Sequence, residues 1–198
     1  LSFSENEDIR LTCDDRRILT DKRNLVVKAA NLLRERCGIR HGVSLHLKKR
    51  IPAPGGLGGG SSNAAVALIG LSRLWKLDLS ADGLQSMACE LGSDVPYFLT
   101  GGTAIGSGRG TQIEPIEDIQ TPHLLIVTPN VRVSTPDAFK SLDAPNLTTS
   151  DAERILIVCR FEARKLDLLH SVLTNDMEPA VFAAYPEIER VKDTLLRL

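Results

Sequence analysis

Apolar positions recur along the first half of the chain with two alternating periods. Residues 1 to 19 alternate loosely around Ile9, Leu11 and Ile18 and predict one or two short strands. From Leu25 the spacing changes: Leu25, Val26, Ala29, Ala30 and Leu33 form one stripe of a helix running to about Arg36. Thr20 or Asp21 is placed to cap it, and Gly38 to stop it. Val43, Leu45 and Leu47 then alternate with Ser44, His46 and Lys48, the pattern of a half-buried strand with His46 on its polar face. Helical spacing returns over Ala64 to Leu74, with Ala65, Leu68, Leu71 and Trp75 as its core face. It returns again after Ser80, with Leu84, Met87, Ala88 and Leu91 inward and Gly92 as the stop.

Past residue 97 the pattern predicts strands around 98–105 and 111–116, joined by the turn Gly106-Ser107-Gly108-Arg109-Gly110. His123 to Thr128 reads as a buried strand ended by Pro129-Asn130. A short helix capped by Ser134 or Thr135 runs through Leu142. Ser150 and Glu153 form a capping box, Asn175-Asp176-Met177-Glu178 opens another helix, and Pro186 opens a last one with Ile188, Val191 and Leu195 inward. The mixture of strands and helices, without an internal repeat, predicts an α+β fold.

The chemistry concentrates between the second strand and its helix. Residues 51 to 65 hold five glycines between Gly55 and Gly60, followed at once by Ser61 and Ser62. Such a backbone approaches a ligand closely, and its N–H groups, with the N-terminus of the next helix, make a seat for a phosphate. A flexible linker fits less well, because Leu57 interrupts the glycines and ordered elements abut both sides. No Lys follows the glycines as a Walker A loop requires. Ser61 occupies the last glycine position of a dinucleotide fingerprint, and no acid near residue 80 is placed for a ribose. Lys48, Lys49 and Arg50 supply local positive charge or a solvated strand end. Asp94, between a helix stop and Pro96, sits where a sharp turn holds a carboxylate; the position suits a turn former as well as a base.

Composition narrows the classes. With 42% hydrophobic and 25% charged residues over 198 positions, the chain has the makeup of a globular protein with a packed core. A net charge of −1 provides no general field for nucleic acid or membrane. The four cysteines, Cys13, Cys37, Cys89 and Cys159, are too dispersed for a zinc site or redox pair.

Two stretches resemble the GHMP kinases. Gly56-Leu57-Gly58-Gly59-Gly60-Ser61-Ser62-Asn63-Ala64-Ala65 is similar to their second motif, with extra glycines. Gly92-Ser93-Asp94-Val95-Pro96-Tyr97-Phe98, followed by Gly101-Gly102-Thr103-Ala104, is similar to the segment whose Asp is the proposed general base. The resemblance covers about Thr20 to Leu198. It implies a GHMP kinase fold. Residues 1–118 would form a two-layer α/β N-terminal domain, like domain 2 of ribosomal protein S5, and 119–198 part of an α+β C-terminal domain.

The resemblance further implies ATP and Mg2+ as cofactors. Pro52, Ala53, Pro54, Gly55, Gly56, Leu57, Gly58, Gly59, Gly60, Ser61 and Ser62 would wrap the phosphates, Ser62 would stand near the metal, and Asp94 would be the catalytic base. Val133 to Phe139 is similar to a segment that lays an aromatic ring on cytosine, which makes Phe139 the substrate-binding candidate. Arg109 falls where the family has a similar glycine-flanked Arg. The implied acceptor is a small molecule, the 2-hydroxyl of a cytidine-diphosphate-linked methylerythritol, in the non-mevalonate (MEP) route to isoprenoids. The setting would be a bacterial cytoplasm or a plastid stroma, with a monomer or homodimer and neither nucleic acid nor membrane as partner. The family's N-terminal Pro-Ala-Lys-x-Asn segment and its third glycine motif would lie outside Leu1 to Leu198, so the chain is expected to be an internal fragment. Kinases of mevalonate, homoserine or a sugar, a non-catalytic nucleotide-binding remnant and an NAD(P)-binding oxidoreductase stand as alternatives.

Overall fold

The computed structural model describes residues 1–52, 56–118, 125–131, 133, 138, 140–142 and 175–197. The chain divides into two compact units, Leu1–Pro115 and Ile116–Leu198.

The first unit is built on a three-stranded sheet. β1 (Ser2–Asn6) and β2 (Ile9–Cys13) flank β3 (Gly42–Leu47), β1 antiparallel and β2 parallel to it. Phe3 opposes Leu45 and Leu11 opposes Leu45 from the other side, so one face of the sheet is apolar across all three strands. The other face carries Ser4, Ser44, Arg10, Thr12 and His46. As the alternation predicted, His46 lies exposed, its Nδ1 2.8 Å from Thr12 Oγ1.

Helices cover the apolar face. α1 (Leu25–Arg36) buries Val26, Ala29, Ala30 and Leu33. Its cap is Asn24, whose Oδ1 accepts from Val26 N at 2.9 Å, and not Thr20 or Asp21. The Asp21 carboxylate is occupied by the backbone N–H and guanidinium of Arg23, which moves the cap three residues on. Gly38, at φ +64°, ends the helix as expected, and Ile39 N–H closes back on Arg34 O at 3.0 Å. α2 (Gly59–Leu74) packs on α1 through small residues. Ala64, Ala65 and Ala67 of α2 and Ala29 and Ala30 of α1 have no exposed surface and share one core with Leu68 and Leu71. Gly70 belongs to the same logic, since a methyl there would meet the Phe3 ring at 2.4 Å.

α3 (Ala81–Leu91) begins where predicted, with Ser80 Oγ accepting from Gly83 N, and ends at Gly92. The first strand expected past residue 97 starts later than 98. Residues Tyr97–Thr100 form a single helical turn, α4, because buried Val95 and Pro96 pin its entry and the carbonyls of Val95, Pro96 and Tyr97 accept from Phe98, Leu99 and Gly101. Two glycines at positive φ, Gly101 and Gly102, then redirect the chain into the hairpin β4 (Thr103–Ser107) and β5 (Gln112–Ile116).

In the second unit, α5 (Glu178–Ala184) and α6 (Pro186–Leu195) pack together, and Pro186 opens α6 as predicted. Val181 and Phe182 face Ile188, Val191 and Leu195 across an apolar cleft. The strand expected at 123–128 is not found over its described part. Residues 125–128 join no ladder, and Leu125 is 79% exposed. An apolar run becomes a strand only with a partner to satisfy its backbone, and no strand of this unit is described beside it. The helix through Leu142 is described only at 138 and 140–141, and the Ser150–Glu153 capping box lies outside the described residues.

Candidate active site

The glycine stretch is shorter as a loop than its sequence suggests. Gly56 and Gly58 take φ values of +63° and +64°, and α2 begins at Gly59, five residues before the strong helix formers. Gly59, Gly60, Ser61 and Ser62 are therefore the first helical turn. Ser62 N–H already bonds Gly58 O at 2.9 Å. Packing overrides glycine's poor helix propensity here: Gly59 is buried, and a side chain on it would press on Ile51 and on Lys49 Nζ, both 3.2 Å away. As at the start of any α-helix, the N–H groups of Gly59, Gly60 and Ser61 have no intrahelical acceptor, and a glycine cap offers no side-chain oxygen in its place. Among the described residues, the positive end of this 16-residue helix thus carries donors without a side-chain cap.

Lys49 places its ammonium beside this end, while Lys48 and Arg50 are exposed. Of the three basic residues before the loop, it is the one brought to the candidate phosphate seat. Its own backbone N–H is held by the Asp14 carboxylate at 2.8 Å, and that bond holds the Asp14 carboxyl below the usual carboxylate range. Leu25, at the start of α1, lies 3.8 Å from the position of a methyl on Gly60, so the α1 entry also borders the seat. Neither contact follows from spacing along the chain.

A cavity of about 420 Å3 joins the turn to the candidate base. Gly56, Leu57 and Gly58 form one wall and Asp94, Tyr97 and Phe98 another. Gly106, Gly110 and Ile113 of the hairpin close a third, so the turn read as a plain β turn also lines this space. Asp94 is exposed, and among the described residues its carboxylate has no hydrogen-bond or ion-pair partner. The turn that carries it is rigid on both sides. Val95 N–H bonds Gly92 O at 3.2 Å, and Val95 and Pro96 are buried. Arg109, exposed in the hairpin turn, is not among the lining residues. Ala53, Pro54, Gly55 and Phe139 lie outside the described residues; Pro52 is exposed just before them. Among the described residues no cluster of three or more His, Cys, Asp or Glu side chains is arranged to hold a metal.

A left-handed glycine turn thus feeds a helix and faces a carboxylate across one cavity. The profile of the GHMP kinases N terminal domain matches residues 24–102, which spans the glycine turn, α2 and Asp94. The chain is 37% identical to the 4-diphosphocytidyl-2-C-methyl-D-erythritol kinase of Bacillus pumilus (strain SAFR-032), over 100% of this chain and 68% of that protein. It is 36% identical to the enzyme of the same name from Bacillus cereus (strain AH187), over 96% and 65%. The chain belongs to the 4-diphosphocytidyl-2-C-methyl-D-erythritol kinase family, and it spans about two thirds of the length of these relatives. A crystal structure of 4-(cytidine 5'-diphospho)-2C-methyl-D-erythritol kinase superposes with a TM-score of 0.68 at 28% identity, over 96% of this chain and 66% of the other. Homoserine kinase from Cytophaga hutchinsonii shares the fold, with a TM-score of 0.71 at 22% identity over 98% and 68%.

Proposed function

We propose that this protein phosphorylates the 2-hydroxyl of 4-diphosphocytidyl-2-C-methyl-D-erythritol with ATP, giving the 2-phosphate and ADP in non-mevalonate isoprenoid precursor synthesis. The observation that carries the reading is the single cavity between the left-handed glycine turn and Asp94. Phosphoryl transfer asks the protein for positioning and charge neutralisation more than for covalent chemistry. The α2 N-terminus, with the free N–H groups of Gly59, Gly60 and Ser61, offers donors to the phosphate oxygens. Lys49 adds a charge beside them. Pro52 to Gly58 would continue the cradle. Asp94 would accept, or orient, the proton of the acceptor hydroxyl, a role its unpaired carboxylate suits.

Mg2+ takes hard oxygen donors and keeps several waters. The residues present fit a metal held chiefly by the triphosphate and water, with the Ser62 hydroxyl in the first turn of α2 as the protein oxygen; the ion would neutralise charge on the transferred group. Phe139 would stack on the cytosine, and Arg109 is assigned no role. Residues 1–118 would be the ATP-binding domain and 119–198 the start of the C-terminal domain, in a monomer or homodimer of a bacterial cytoplasm or plastid stroma.

The test is ADP release by the full-length protein with Mg-ATP and 4-diphosphocytidyl-2-C-methyl-D-erythritol, beside Asp94→Asn. The variant is expected to lose about 10²- to 10⁴-fold in kcat. Unchanged turnover would remove Asp94 from the mechanism. Turnover with mevalonate or homoserine but not with this acceptor would overturn the substrate assignment.

A further inference from the structure

Two walls of the cavity come together where Gly58 meets Phe98. Gly58, the left-handed cap of α2, lies against the tip of the Phe98 ring so closely that a methyl on Gly58 would stand 2.6 Å from Cζ and 2.8 Å from Cε2. Phe98 belongs to the turn that carries Asp94: its N–H bonds Val95 O at 3.1 Å, and Val95 adjoins Asp94 and is fully buried. The ring is held from behind by Tyr97, edge to face at 5.0 Å and 71°. Tyr97 is itself fixed by its hydroxyl, which donates to Gly102 O at 2.6 Å. On the other side, Gly58 O accepts the first hydrogen bond of α2 from Ser62. A continuous chain of contacts therefore runs from Gly102 through Tyr97, Phe98 and Gly58 to the N–H donors of α2.

The geometry points to Phe98 as a positioning residue that sets the separation between the phosphate seat and the Asp94 carboxylate, and packs against Gly58 in the left-handed conformation from which α2 starts. The half-buried ring lies against Gly58 where these two walls meet, so shortening it lets the glycine turn move toward the base. A lengthened side chain at Gly58 pushes the same two walls apart. In-line transfer loses rate steeply when reacting groups shift by about 1 Å. This inference rests on the kinase reading above, and its test has a readout that does not need turnover.

ADP affinity by calorimetry, ATP KM, kcat and thermal midpoint would be measured on the full-length protein for Phe98→Leu, Phe98→Ala, Gly58→Ala and the Gly58→Ala/Phe98→Ala pair. Phe98→Ala is expected to lower kcat about 10²-fold and to weaken ADP several-fold at temperatures where it is fully folded, with Phe98→Leu recovering part of both. Gly58→Ala is expected to weaken ADP by tenfold or more. Removing the ring in the same chain should restore part of that loss, since the clash is with the ring. The residue left is the cost of a left-handed alanine. Folded Phe98 variants with wild-type kcat, ATP KM and ADP affinity, or strictly additive losses in the double variant, would overturn the inference. A wild type that binds ADP and shows the coupling yet phosphorylates no acceptor would sink the substrate assignment alone.

Discussion

Two carboxylates on the surface of the first unit show how far a single residue's environment carries. Asp15 takes the Arg17 guanidinium in a two-pronged contact at 2.9 and 2.8 Å and also accepts the Arg17 backbone N–H; Asp21 does the same with Arg23. The side-chain hydrogen bonds from the arginines, then the backbone bonds, lower both carboxyls from 3.8 to about 2. A carboxyl lowered on folding contributes stability that is complete above its unfolded value and lost as pH falls toward its folded one. The denaturation midpoint should therefore drop between about pH 4 and pH 2, and Asp15→Asn with Asp21→Asn should flatten that drop; a slope unchanged by the pair would disprove it. Other residue roles differ in how legible they were. Asp94 could not be told from a turn former by its position alone; it was singled out by the resemblance of Gly92–Phe98 to the family segment, and the fold lines it up on the cavity with the glycine turn. Phe98 could not be picked from the sequence, since an aromatic after a turn reads as core and only the fold brings it to Gly58. Lys49 was indistinguishable from Lys48 and Arg50, because β3 ends at Leu47 and the alternation that sorts inward from outward side chains ends with it.

Whole elements were read best where capping and periodicity agreed. β3 and α3 follow their patterns to within a residue or so, and α1 differs only in its cap. The first turn of α2 and the α4 turn were missed for one reason: glycine and proline argue locally against helix, while packing of Gly59, Val95 and Pro96 decides otherwise. The join of β1, β2 and β3 rests on a similar contact. A methyl at Gly42 would lie 2.2 Å from the Asp8 carbonyl carbon and 2.6 Å from its Cα, both backbone atoms of the turn between β1 and β2. Val43 N–H bonds the same Asp8 carbonyl at 3.0 Å. Neither side has a flexible end to swing away, so Gly42→Ala must part the strands. It should cost about 3 kcal/mol or more, at the upper end of overpacking penalties. Equilibrium denaturation would measure it. A loss under about 1 kcal/mol would mean that the Asp8 turn yields more easily than its pairing suggests.

For the molecule as a whole, the composition argued only for a packed protein without a general basic field, and family membership came from two motifs that the fold brings to one cavity. Among the described residues no helix is long and apolar enough to cross a membrane. In the second unit the strand expected at 123–128 fails over its described part, because an exposed apolar run such as 125–127 carries the same sequence signal as a buried strand, whereas the helix opened by Pro186 is found. Binding at the α2 N-terminus should register in the stability of the entire first unit, since α2 supplies the largest share of its core along with α1 and β3. A ligand that binds only the folded state stabilises it by RT ln(1 + [L]/Kd), about 2.7 kcal/mol at a hundredfold excess over Kd. At this chain length that raises the thermal midpoint by several °C. Mg-ADP should produce the shift in the wild type and equally in Asp94→Asn, because in the proposed site the α2 donors and Lys49 would hold the nucleotide while the carboxylate would serve the acceptor. Gly58→Ala should lose most of it. An Asp94→Asn protein that folds but no longer responds to Mg-ADP would instead assign that carboxylate to the metal-nucleotide complex, and the base would have to be sought elsewhere.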